Sequence, residues 1–150
     1  MESDMTPQPN ICPSCGKPFS HQFDGTKEQQ MVLRFHQRFG LTVNERPAWP
    51  SCADRELREQ LIDEELKELK GAVTLTDVAD ALGDLLYVVY GAAVTYGINL
   101  EPIFAEIHRS NMTKLWNGSE VRRNEFGKVI KPPTYSPADI ESEIQRQSAR

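Results

Sequence analysis

Between residues 27 and 39 the chain reads KEQQMVLRFHQRF. Met31, Phe35 and Phe39 recur every fourth position, with Val32 and Leu33 beside them, which is the period of an amphipathic helix. Gly40 ends that helix. A loop over 41–51 follows, and Trp49, set between Pro47 and Pro50, reads as a buried loop anchor. A second helix, capped by Ser51 or Asp54, runs to about Lys70 with Gly71 near its C-terminus. A third, capped by Thr74 or Thr76, covers 77–96. Its second half, Leu85 to Tyr96, is apolar on nearly all sides and predicts a central, buried helix. Gly97 breaks it. A fourth helix over 100–114 packs through Ile103, Phe104, Ile107 and Met112. From Trp116 the pattern becomes that of a loop, and Ser136-Pro137-Ala138-Asp139 opens a last, short polar helix. The pattern therefore predicts an all-α protein, with a tail over 1–26, one domain over 27–141 and a C-terminal tail over 142–150.

Two acidic stretches disturb this pattern. In the second helix Leu57, Leu61, Glu64, Glu68 and Ala72 fall on one stripe, with Glu65 at its edge and Asp63, Lys67 and Lys70 on the far side. A solvated helix face prefers an acid four residues before a lysine, and in this run only Asp63 has that partner. Glu64 and Glu68 are instead like charges one turn apart. In the third helix Asp77, Asp80 and Asp84 share a broad stripe. The helix dipole accounts for Asp77 in the first turn, but not for Asp84 two turns in among Leu82, Leu85 and Leu86. Carboxylates gathered on core-facing stripes need a cation.

The 150 residues suit one domain, and a net charge of −5 argues against a general nucleic-acid or membrane-surface binder. MESDMTPQPN has no apolar signal region, and the run Leu85 to Tyr96 is too short to span a membrane, so a cytoplasmic location is expected. Three cysteines do not suggest a disulfide framework. Cys12-Pro13-Ser14-Cys15-Gly16 has the shape of half a zinc knuckle, with His21 as a third candidate ligand and Cys52 or His36 as a fourth. An unmetallated cysteine pair fits equally, and for His36 packing is the stronger reading.

Oxygen donors without clustered histidines select hard cations, Mg²⁺ first and Mn²⁺ as the alternative. Mg²⁺ keeps water positions open to phosphate oxygens, and downstream lysines and arginines can clamp outer phosphates. Together these point to hydrolysis of a phosphoanhydride, with a carboxylate activating water.

Leu61-Ile62-Asp63-Glu64-Glu65-Leu66-Lys67-Glu68-Leu69 followed by Asp84-Leu85-Leu86-Tyr87-Val88-Val89-Tyr90-Gly91 resembles the all-α NTP pyrophosphohydrolase superfamily, which includes the MazG proteins, dimeric dUTPases and phosphoribosyl-ATP pyrophosphohydrolase. His108-Arg109-Ser110-Asn111-Met112-Thr113-Lys114 and Gly127-Lys128-Val129-Ile130-Lys131 resemble the phosphoribosyl-ATP pyrophosphohydrolase-like branch. The resemblance covers about residues 30 to 141. It implies a four-helix core assembled in a homodimer or dimer of dimers. It also implies Mg²⁺-dependent cleavage of a nucleoside triphosphate to monophosphate and pyrophosphate. Phosphoribosyl-ATP hydrolysis and a non-catalytic nucleotide-binding or adaptor module are the alternatives. By position it makes Glu64, Glu65, Glu68 and Asp84 metal ligands, with Glu64 or Glu65 activating water. The family's preceding glutamate falls on Ala81, which cannot ligate, so Asp80 is the expected substitute and Asp77 a weaker one. Tyr87, Arg109, Asn111, Lys114, Lys128 and Lys131 become the substrate contacts.

Overall fold

The structure is a computed structural model that describes residues 25–149. The described residues contain five helices and no strand: α1 (Lys27–Phe39), α2 (Cys52–Gly71), α3 (Leu75–Tyr96), α4 (Leu100–Met112) and α5 (Ile140–Ser148). The all-α expectation is met. The cysteine knuckle at Cys12, Cys15 and His21 lies outside the described residues.

Local chemistry sets the helix ends. Ser51 caps α2 by accepting from the Asp54 amide. Thr74 caps α3 in a capping box: its hydroxyl accepts from the Asp77 amide, and the Asp77 side chain accepts from the Thr74 amide. That box starts α3 two residues earlier than the sequence pattern suggested and gives Asp77 a capping role. α4 stops at Met112 rather than 114, where the Thr113 hydroxyl donates to the Ser110 carbonyl at 2.7 Å. α5, capped by Asp139, runs through the boundary expected at 141–142. It is not a tail, because the Gln147 side chain accepts from the Asn99 amide at 2.8 Å and donates to the Asn99 carbonyl at 3.0 Å.

α3 is the central element, as its apolar second half predicted. α2 folds back on it through the short connection Ala72–Thr74, and α1 packs against it from another side. Length and composition alone would let α3 cross a membrane. Here Gly91, Ala93, Val94 and Thr95 are instead buried within the protein.

The packed face of α1 differs from the predicted one. Gln29, Val32, Leu33 and His36 are buried, while Met31, Phe35 and Phe39 remain exposed. Two polar residues win the interior because each finds backbone partners there. Gln29 donates to the Ile98 carbonyl at 2.7 Å and accepts from the Leu100 amide at 3.0 Å. His36 Nδ1 donates to the Thr42 carbonyl at 3.0 Å. This supports the packing role for His36, and burial, followed by repulsion from Arg58, lowers its pKa. A Cβ at Gly91 would stand 3.2 Å from His36 Nε2 and 3.4 Å from Arg58 Nη1, so a glycine is needed where α3 passes these side chains.

Gly97 ends α3 in the left-handed conformation, and a Cβ there would lie 2.2 Å from the Arg46 carbonyl oxygen. The loop 41–51 is thus laid against the end of α3, with Asn44 donating to the Thr95 carbonyl. Trp49 is not buried as expected: it is 80% exposed. Its ring meets Tyr96 edge-on and carries the Arg55 guanidinium on its face, so it packs on the surface of the bundle.

Candidate active site

The hairpin of α2 and α3 decides where the acidic stretches go. The half-buried residues of α2 after Arg58 include Leu61, Ile62, Glu65, Leu66 and Leu69, whereas Glu64 and Glu68 are exposed. The stripe is therefore rotated from its expected phase, and Glu65 lies at its centre rather than its edge. Arg58, buried two turns before Glu65, lies on the same face, beside Gly91.

Counting outward from Val73 in the connection, Glu65 and Ala81 lie at equal chain distance. The antiparallel pair thus places them at the same level. Ala81 is 3% exposed.

Five carboxylates are gathered at this level. The pKa of Glu65 is raised, first by desolvation and then by the charges of Glu68, Asp84, Glu64 and Asp80. Its Oε2 is buried and has no hydrogen-bond partner. An orphaned carboxylate oxygen facing four like charges is costly unless a cation completes it. The side chains themselves stand apart, since among the described residues no three Asp, Glu, His or Cys groups are drawn into a ready ligand set. The donor chemistry fits a hard divalent ion, and the orphaned oxygen is the atom that most needs one.

Tyr87 lies one turn beyond Asp84 on α3, where its ring meets Phe35 of α1 edge-on at 5.7 Å. Burial raises its pKa. The other sequence-predicted residues are on a separate part of the chain, around the end of α4 and the segment 114–139.

There the expected roles divide. Arg109 does not present a free guanidinium: it donates twice to Glu106 at 2.7 Å, to the Ser136 hydroxyl at 3.2 Å and to the Pro137 carbonyl at 2.9 Å. The Asp139 amide also donates to Glu106, at 2.8 Å. Glu106 and Arg109 thus fasten the returning segment to α4. With these partners, the Arg109 hydrogen bonds foremost, the Glu106 pKa falls to about 2.

Asn111 and Lys114 are held together, with the lysine ammonium donating to Asn111 Oδ1 at 2.7 Å. Lys131 lies over the Tyr135 ring at 4.3 Å. The Ser110 hydrogen bond, with the Lys131 and Lys114 ammonium groups, lowers the Tyr135 pKa. Lys128 is exposed on the 120s turn, which is closed by the Asn124 side chain accepting from the amides of Phe126 and Lys128.

The sequence reading missed Glu106, Ser110 and Tyr135. Glu106 carried a local signal, its i, i+3 spacing to Arg109. Ser110 and Tyr135 meet only through the fold. Of the two residues considered as fourth zinc ligands, His36 is committed to Thr42, while Cys52 is exposed with its Sγ 3.2 Å from Arg55 Nη2.

The family model for phosphoribosyl-ATP pyrophosphohydrolase matches residues 32–111. The chain belongs to this family. Membership supports a pyrophosphohydrolase-type function and agrees with the helical architecture. The matched stretch contains Glu64, Glu65, Glu68, Asp80, Asp84, Tyr87, Arg109 and Asn111, and it ends before Lys114, Lys128 and Lys131. An uncharacterized protein of Acanthamoeba polyphaga mimivirus is 41% identical over 76 residues, which cover 47% of this chain and 30% of that protein. The chain thus spans under a third of the length of that relative.

Proposed function

We propose that this family member is a Mg²⁺-dependent nucleoside triphosphate pyrophosphohydrolase that releases monophosphate and pyrophosphate. The observation that carries the reading is the unpaired Glu65 Oε2 among Glu64, Glu68, Asp80 and Asp84. These five residues would hold the metal, with Asp80 supplying the carboxylate that Ala81 lacks, and Mn²⁺ would serve in place of Mg²⁺. Bound there, the ion neutralises the phosphates and polarises the attacked phosphorus.

Glu64 or Glu65 takes a proton from water as its oxygen bonds to the α-phosphorus. The α–β bridging bond breaks, and the bridging oxygen leaves as part of pyrophosphate. Tyr87 lines the approach from α1. Asn111, Lys114, Lys128 and Lys131 carry the charge and hydrogen-bonding capacity to hold the phosphates and sugar.

The reading includes a homodimer or dimer of dimers. Its support is the apolar surface one copy leaves open, with Val73 90% and Leu75 88% exposed alongside Phe39, Leu82 and Leu86. Membership of the phosphoribosyl-ATP pyrophosphohydrolase family favours phosphoribosyl-ATP as a second substrate reading within the same chemistry. A zinc ion at Cys12, Cys15 and His21 is a separate proposal, decided by metal content before and after Cys12→Ser.

The decisive assay is pyrophosphate release from a panel of nucleoside triphosphates and phosphoribosyl-ATP, with Mg²⁺ and after chelation. Release that depends on the metal supports the reading and names the substrate. A metal-loaded protein that turns over none of the panel would leave the binding module as the better account.

A further inference from the structure

The lysines near the end of α4 are held by a residue with no role assigned so far. Tyr135 stands in the segment that returns from the 120s turn to α5. Its phenolic oxygen is 2.9 Å from the Ser110 hydroxyl, and Ser110 is buried on α4. The same hydroxyl donates to the Ser136 carbonyl at 2.9 Å. A serine has one proton to give and a carbonyl can only accept, so the tyrosine O–H donates to Ser110 in the neutral phenol. The ring is therefore tethered at its tip to α4. The backbone beside it is tied to the same helix, because the Ser136 amide donates to Thr113 Oγ1 at 2.9 Å.

A ring fixed in this way is a platform. The Lys131 ammonium lies 4.3 Å from its centroid, and the Lys114 ammonium is held by Asn111, the chain neighbour of the Ser110 to which the ring is tied. Ammonium groups gathered about one tyrosine repel each other. The negative face of the aromatic ring offsets part of that repulsion. No carboxylate accepts from either lysine among the described hydrogen bonds and ion pairs, whereas Glu106, Glu120 and Glu143 are each taken by an arginine. Paired cations held on a rigid aromatic support, with an amide side chain beside them, suit a polyphosphate.

We propose that Tyr135 is a positioning residue that gathers Lys131 and Lys114 into a notch for the phosphate chain of the substrate. The role of the notch in turnover rests on the proposed hydrolysis, but its test does not. The probe is inorganic tripolyphosphate, titrated calorimetrically into the full chain without turnover. Tyr135→Leu removes the platform and should weaken binding about fivefold, with an unchanged melting temperature. Tyr135→Phe keeps the ring but loses the tether to Ser110, and should bind at a strength between those of the wild type and Tyr135→Leu.

In a Lys131→Ala background, Tyr135→Leu should cost little more, because the ring acts through the lysine. Tripolyphosphate binding by Tyr135→Leu at wild-type strength would overturn the proposal. So would an undiminished loss in the Lys131→Ala background, or a wild-type protein that does not bind the probe. If the binding pattern holds while no nucleotide is hydrolysed, the notch stands and the proposed reaction falls.

Discussion

Glu65 shows how one residue can be wrong for stability and right for chemistry. A half-buried carboxylate with an orphaned oxygen and four acidic neighbours weakens the metal-free fold. Glu65→Gln keeps the shape and removes the charge. It is expected to lower pyrophosphate release by about a hundredfold or more while leaving the metal-free melting temperature unchanged or higher. A variant with wild-type turnover would remove Glu65 from the site. Gly91 makes the opposite point, since its importance lies in what it lacks. Gly91→Ala would bring a methyl group 3.2 Å from His36 Nε2, so the ring must give by a few tenths of an ångström, and chemical denaturation should show a net cost below about 1 kcal/mol once the gain in helix propensity is included.

Among the elements, α1 is tied to the start of α4 by a polar side chain. Gln29 satisfies a carbonyl and an amide in the bend between α3 and α4. Gln29→Leu would orphan both and should lower stability by about 2–4 kcal/mol, measurable by urea unfolding.

The clamp of Glu106 on the segment leading to α5 gives a pH signature. Its folded pKa of about 2 lies below the ordinary glutamate value of 4.5. The clamp's stabilisation is therefore complete above about pH 4.5 and is lost as the pH falls through about 2. Hydrogen exchange of the 136–148 amides should accelerate over that range in the wild type. In Glu106→Gln the same amides should exchange fast at all pH values. If the wild type and this variant show the same acid profile, the clamp does not hold α5.

On the scale of the whole molecule, the core of one copy is small. Among the described residues the buried apolar side chains are Val32, Leu33, Ala81, Ala93, Val94 and Ile103, while Phe39, Leu75, Leu82, Leu86 and Phe104 are exposed. A core of this size is weak support for a free-standing chain. Assembly of like copies would cover the open faces, so the melting temperature should rise with protein concentration. Leu86→Asp should shift the sedimentation coefficient towards the monomer. A concentration-independent monomer would remove oligomerisation from the proposed function.

The helices were legible in the sequence because they follow local rules. Periodicity marked α1 to α4, and Ser51, Thr74, Gly40 and Gly97 marked their ends, since capping bonds and left-handed glycines act over a few residues. The identity of the acidic residues was equally legible, because a like-charged stripe on a helix has no local compensation. Tertiary structure decided what depends on distant partners. Glu65 came to lie at the centre of the half-buried α2 face through the packing of α2 on α3, with Arg58 buried on the same face. Met31, Phe35 and Phe39 were displaced from the core because Gln29 and His36 find buried backbone partners on other elements. Arg109 became a clamp because Ser136 and Pro137 return to it, a contact that no local spacing in the sequence encodes.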